Sequence, residues 1–250
     1  MDNSCLLSTT YFGPVQWYQK LHRYDTVWLE RHDSFIKQTY RNRCVIAATH
    51  GPLTLTVPVA HDGASPLTRD MRISDHGDWR RLHWNAIRSA YGESPFFEFY
   101  ADDLAPFFEK RWEFLVDFNE AIMEKMCELL DIRPNVKHTV SYGSCGSNGS
   151  DGINGGDGIN GSNGVNGSNG SNGVNGSNGG LESMVSSEFS EGFPVVDDFR
   201  DVIRPKHPMP DASFTPRRYY QVFEQKHGFL PNLSILDLLM NEGNESVFFL

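Results

Sequence analysis

Glycine recurs at every third position from Gly143 to Gly179, and no other feature of the 250-residue chain limits its fold as strongly. That is the period of a collagen triple helix, but the tract contains no proline to pre-order such chains. Its third position is mostly Asn or Asp, whose short polar side chains favour turns. A calcium-binding β-roll would need a nine-residue repeat with a regular apolar position. Here Asp151 and Asp157 stand six residues apart, and Ile153, Ile159, Val165 and Val174 are too sparse for a core. Such a composition buries too little apolar surface to offset its ordering entropy. The stretch 143–192 therefore reads as a disordered spacer and flank, inserted in a single domain made of 1–142 and 193–250. Doubling a flexible loop costs only about 0.6 kcal/mol, so an insertion of this size is tolerable.

Outside the tract the chain is long enough for one core, and 17 Phe and 5 Trp supply bulky apolar side chains. A net charge of −10 opposes general binding to nucleic acid or an anionic membrane. Cys5, Cys44, Cys127 and Cys145 show no metal-ligand spacing, and isolated thiols suit a reducing compartment. The N-terminal "MDNSCLLSTTYFGP" lacks a signal-peptide pattern, and no apolar run approaches the roughly 20 residues that span a bilayer. These features predict a cytoplasmic protein without a transmembrane segment.

From Cys5 to Val59 the pattern predicts strand, helix, strand and hairpin. "CLLSTT", "VQWYQKLHRY" and "DTVWLE" form a βαβ unit, and "CVIAAT" with "LTLTVPV" the hairpin. A helix follows with Asp78 as cap and Gly92 as stop, placing Trp79, Leu82, His83, Ala86, Ile87, Ala90 and Tyr91 on one face. Core spacing predicts a further long helix from Asp103 to Leu130. In "PNLSILDLLMNEG", Ser234 and Asp237 have the spacing of a capping box. The expected fold class is α/β: a small mixed sheet begun by a βαβ unit, a helix-rich second half and a disordered Gly/Asn-rich insertion.

No P-loop, GxGxxG, zinc motif or hydrolase elbow is present, so the residues identify no cofactor and no metal site. "KQTYRNR" packs Lys37, Arg41 and Arg43 with Tyr40 and Asn42 just before a strand. Guanidinium forks suit phosphate or carboxylate; a solvated loop with one arginine paired to Glu30 or Asp33 is the alternative. In the binding reading, Arg41→Ala or Arg43→Ala costs no more than about 1 kcal/mol of stability. His83, on an apolar helix face, is a hydrogen-bonded core residue or a general base. Glu30, ending the second strand, orients a substrate hydroxyl or pairs with Arg43 or Lys20.

Three stretches, "YFGPVQWYQKL", "KQTYRNRCVIAATHGPLTLTVPV" and "YYQVFEQKHGFLPNLSILDLLMNEG", resemble the WbqC-like family, with "DWRRLHWNAIRSAYGESPFFEFYADDLAPFFEKRWEFLVDFN" between them. The resemblance covers about Thr9 to Ile132 and Phe199 to Leu250. It implies a role beside other enzymes of surface-polysaccharide (O-antigen-like) biosynthesis, acting on a small-molecule or glycan-precursor substrate. Other branches carry a His-Gln-Pro-Asn-Tyr-like stretch where this chain has Leu7-Ser8-Thr9-Thr10-Tyr11, so only Tyr11 of it is kept, together with Lys20 downstream. The implied activity is transfer of a small acyl or aminoacyl (for example glycyl) group onto a sugar, with His83 as base, Glu30 positioning the acceptor, and Lys20, Arg41 and Arg43 holding an anionic donor. The alternative is a non-catalytic sugar- or carrier-binding assembly protein. If one site exists, Tyr11, Lys20, Glu30, Asn42, Arg43 and His83 converge on one cleft; a His83 sealed in the core contradicts this.

Overall fold

The first two apolar runs fold as their spacing predicts. Strand β1 (Ser4–Ser8) leads through helix α1 (Val15–Arg23) into strand β2 (Thr26–Glu30). The strands pair in parallel, Ser4 beside Thr26 and Ser8 beside Glu30, which completes the βαβ unit. The computed structural model describes residues 3–60, 66–143 and 196–250. The glycine-rich tract, and with it the expectation of disorder, lies outside the described residues.

An antiparallel hairpin follows, β3 (Arg43–Ala48) with β4 (Gly51–Thr56). Helices α2 (Trp79–Tyr91), α3 (Phe97–Leu104), α4 (Pro106–Glu109) and α5 (Leu115–Leu129) make the helix-rich body. Strands β5 (Val136–His138) and β6 (Val196–Asp198) bracket the undescribed stretch, and α6 (Glu224–His227) and α7 (Ile235–Glu242) come last. The main sheet has the order β5-β2-β1-β6 and is parallel throughout. The expected mixed sheet is thus divided in two, because the outer edge of the hairpin is taken elsewhere: Val45 accepts a 2.8 Å hydrogen bond from Ser234 N, at the entrance to α7.

Helix α2 buries Trp79, His83, Ile87, Ala90 and Tyr91, a stripe of helical period facing the aromatic core around Tyr11 and Phe118. Leu82 lies off that stripe and is 58% exposed. Asp78 occupies the N-cap position without capping; its carboxylate pairs with Arg81 instead. The long helix expected from Asp103 to Leu130 is broken. Pro106, which has no N–H, opens α4. Beyond it the chain runs extended, where Ile73 N donates to Glu113 O (2.9 Å) and Leu115 N to Met71 O (2.8 Å).

Ser234 caps α7, its Oγ accepting from Leu236 N at 3.3 Å and donating to Phe12 O at 2.8 Å. The capping box does not close. Asp237 is buried and accepts from Tyr219 Oη (2.8 Å) and Gln221 Nε2 (2.9 Å).

Strands β5 and β6 stand on opposite edges of the sheet yet run in the same direction. The chain between them must therefore return from the carboxyl edge to the amino edge, which takes about a dozen residues or more. Deleting 146–180 leaves 144–145 and 181–195 for that return, so the melting temperature should change by only a few degrees. Loss of cooperative unfolding on thermal denaturation of the deletion protein would show that the tract contributes to the fold.

Candidate functional site

Strand order reverses between β1 and β6, and in open parallel sheets such a reversal opens a crevice at the carboxyl ends of the strands. A cleft of about 300 Å³ lies at that edge, lined by His32, Asp33, Ser34, Ile36, Arg41, Tyr142, Arg200 and Asp201. A smaller recess shares Arg41 and Arg200 and reaches Ser8, Thr10, Tyr40 and Phe199.

Every arginine on this edge already faces a carboxylate. Arg41 pairs with Asp33 in a buried ion pair and donates to Ser8 Oγ at 2.9 Å. Arg200 is gripped from two sides, by Asp198 (Nη2 to Oδ2, 2.7 Å) and by Glu30 (Nη1 to Oε2, 3.0 Å). Its guanidinium sits 4.8 Å from the centre of the Tyr142 ring, which is 66% exposed. Arg204 pairs with Asp201. Both ring nitrogens of His32 are engaged, Nε2 with Thr139 O (3.0 Å) and Nδ1 with Arg69 Nη1 (3.2 Å).

The residues singled out from the sequence are dispersed around this edge. Arg41 lines the cleft and Tyr40 the recess beside it, while Lys37 is exposed. Glu30 is fully buried beneath the cleft. Lys20, 1% exposed, is a buried clamp: Nζ lies 2.6 Å from Asp211 Oδ2, donates to Ser213 Oγ at 2.6 Å, and stands 4.4 Å over the Phe199 ring. Burial raises the Asp211 carboxyl, but hydrogen bonds from Lys20, Ser213 and Gln16 outweigh it and hold the group at about 2. Asn42 joins the hairpin, Nδ2 donating to Val57 O at 2.9 Å, and Arg43 begins β3 half-buried, opposite Thr56.

His83 is 6% exposed, with Nδ1 2.9 Å from the buried Tyr11 hydroxyl and Trp79 packed against its ring. Burial lowers its pKa to about 4, against a hydrogen bond with the Thr56 backbone. It is neutral and sealed in the core, so the expected convergence of six residues on one cleft does not occur. The sequence reading also passed over Tyr142 and Arg200. The local signal for Arg200 is slight, an arginine set between Asp198 and Asp201 just past the glycine-rich stretch. Among the described residues no group of three or more His, Cys, Asp or Glu side chains gathers as metal ligands, and no helix is long and apolar enough to cross a membrane.

Arg41→Ala would leave Asp33 charged, buried and unpaired, so the expected cost is about 3–5 kcal/mol rather than the small loss of an exposed binding residue. Lys37→Ala, at an exposed position, should stay within about 0.5 kcal/mol. Urea denaturation of both variants distinguishes the two, and equal small losses would contradict the buried pair.

Two other buried groups carry opposite pH signatures. His83, lowered to about 4, contributes stability above an unfolded pKa of about 6.5 that is lost as pH falls toward 4. Asp237, raised by burial to about 6 despite hydrogen bonds from Tyr219 and Gln221, contributes stability below about pH 3.9 that is lost as pH rises toward 6. The two offset each other between pH 4 and 6. Asp237→Asn should therefore make the melting temperature fall more steeply on acidification from pH 6 to 4 than in the wild type. Parallel melting profiles would refute this.

The uncharacterized protein Rv1507c of Mycobacterium tuberculosis is 28% identical over 109 residues, which is 43% of this chain and 47% of that protein. The chain thus spans about half the length of the curated relative it matches, at 47%. No solved structure matches. The model of the WbqC-like protein family matches residues 9–175, the greater part of the sequence, and the chain belongs to that family.

Proposed function

We propose that the carboxyl-edge cleft binds a sugar of a surface-polysaccharide precursor, and that the protein serves in assembling that polysaccharide. The charge balance of the cleft carries this reading. Arg41 with Asp33, Arg200 with Glu30 and Asp198, and Arg204 with Asp201 set fixed donors and acceptors side by side without a net positive field. A polyhydroxyl ring uses both kinds of group, whereas a free phosphate would meet carboxylates as well as arginines. The exposed Tyr142 ring supplies an apolar face beside them. Family membership supports the polysaccharide setting.

Transfer of a small acyl or aminoacyl group onto the bound sugar is the second reading. One observation favours it: Asp33 Oδ1 accepts no hydrogen bond among the described residues, although it is buried at the cleft. That oxygen would take the proton of an acceptor hydroxyl or amine as the acceptor atom bonds to the acyl carbon of an activated donor, whose leaving group departs from that carbon with the bonding electrons; the family resemblance implied this part for His83.

Binding is read by saturation-transfer NMR with glucose, galactose, N-acetylglucosamine and glucuronate. Tyr142→Ala should weaken the tightest of these by about tenfold without changing the fold. Glycan composition of a deletion strain then separates the two readings. A missing acyl substituent that wild type restores and a folded Asp33→Asn protein does not supports transfer. Binding of none of the sugars by the wild-type protein removes the sugar reading.

A further inference from the structure

The carboxylate of Glu30 is fully buried and accepts four hydrogen bonds from three separate parts of the chain. Oε1 takes His32 N at 2.7 Å and Thr139 Oγ1 at 2.9 Å, and Oε2 takes Gly143 N at 2.8 Å and Arg200 Nη1 at 3.0 Å. Those donors follow β2, β5 and β6, three of the four strands of the sheet. A carboxylate offers about four lone-pair sites, and all four are occupied. Glu30 therefore has no free position for a substrate hydroxyl, and its place at the end of β2 has another use.

The four bonds terminate where the cleft is made. Arg200 lines the cleft, and Gly143 directly follows Tyr142, whose ring faces the same guanidinium. Asp198 holds Nε and Nη2 of Arg200, so Glu30 on Nη1 completes the grip and fixes the guanidinium plane. The same carboxylate oxygen fixes the turn that carries Tyr142. One buried charge thus sets two cleft groups that come from opposite edges of the sheet.

We propose that Glu30 is a positioning residue of the sugar site, acting on ligand only through Arg200 and Tyr142. This rests on the sugar-binding reading above. Glu30→Gln replaces one acceptor oxygen with an amide that points N–H groups at N–H groups, so the grip fails while the size is kept.

The experiment measures the affinity of the tightest-binding sugar among glucose, galactose, N-acetylglucosamine and glucuronate. Wild type, Glu30→Gln, Arg200→Lys and the double variant are compared, each shown to be folded at the assay temperature by near-ultraviolet circular dichroism. Glu30→Gln should weaken binding by about tenfold. The double variant should lose clearly less than the product of the two single losses, because both changes act on the same guanidinium and only the Tyr142 part of the Glu30 effect is left to add. General structural damage would instead multiply the losses, and that result overturns the proposal, as does wild-type affinity in Glu30→Gln. If Glu30→Gln does not fold, Thr139→Val decides: it removes a single donor to Glu30, and a several-fold loss of affinity supports the role while an unchanged affinity overturns it. A wild-type protein that binds none of the sugars overturns the sugar reading and this role together.

Discussion

A parallel sheet cannot be closed by tight turns, and this requirement orders the whole molecule. Each strand delivers the chain to the carboxyl edge, and something must carry it back. Helix α1 does so between β1 and β2, and the hairpin and helical body do so between β2 and β5. The last passage runs from β5 at one edge of the sheet to β6 at the other. Because that last passage reverses the strand order, the crevice opens beside β1, where Ser8, Arg41 and Arg200 meet.

Buried ion pairs add a second kind of joint to the apolar core that these segments share. Lys20 with Asp211 fixes the C-terminal segment to α1, and Arg41 with Asp33 fixes the loop before the hairpin to itself and to Ser8. Such pairs contribute little net stability compared with well-packed apolar groups, but each is costly to break on one side. Their effect is to select one arrangement of segments distant in sequence. The same logic leaves the cleft rich in charged groups and close to electrically balanced.

Local pattern revealed the elements that need only themselves. The period of Trp79, His83, Ile87 and Tyr91 marked α2, and Ser234 marked the start of α7. What depended on distant partners was not legible. The spacing of Asp237 suggests a cap, yet Tyr219 and Gln221 draw it inward. Lys20 carries the charge that would hold an anion, and nothing nearby in sequence announces Asp211 as its counter-ion. Strands β5 and β6 have three residues each, too few to show a period, and Arg200 inherits its importance from β6. His83 was placed on the correct face, but only burial among the surrounding rings decides that it stays neutral.

The pairing of β1 with β6 joins Ser4 to Val196, and this fixes an order of events during synthesis. Translation proceeds at about 5–20 residues per second, so β1 waits roughly 10–40 seconds for its second neighbour. The βαβ unit is complete long before, with Cys5, Leu6 and Leu7 paired on one side only. Until β6 arrives, β1 presents an unpaired strand edge, and such an edge can pair with another polypeptide. The interval is set by the whole length of chain between the two strands, including the glycine-rich stretch, so each residue of that tract lengthens the exposure of the unfinished form.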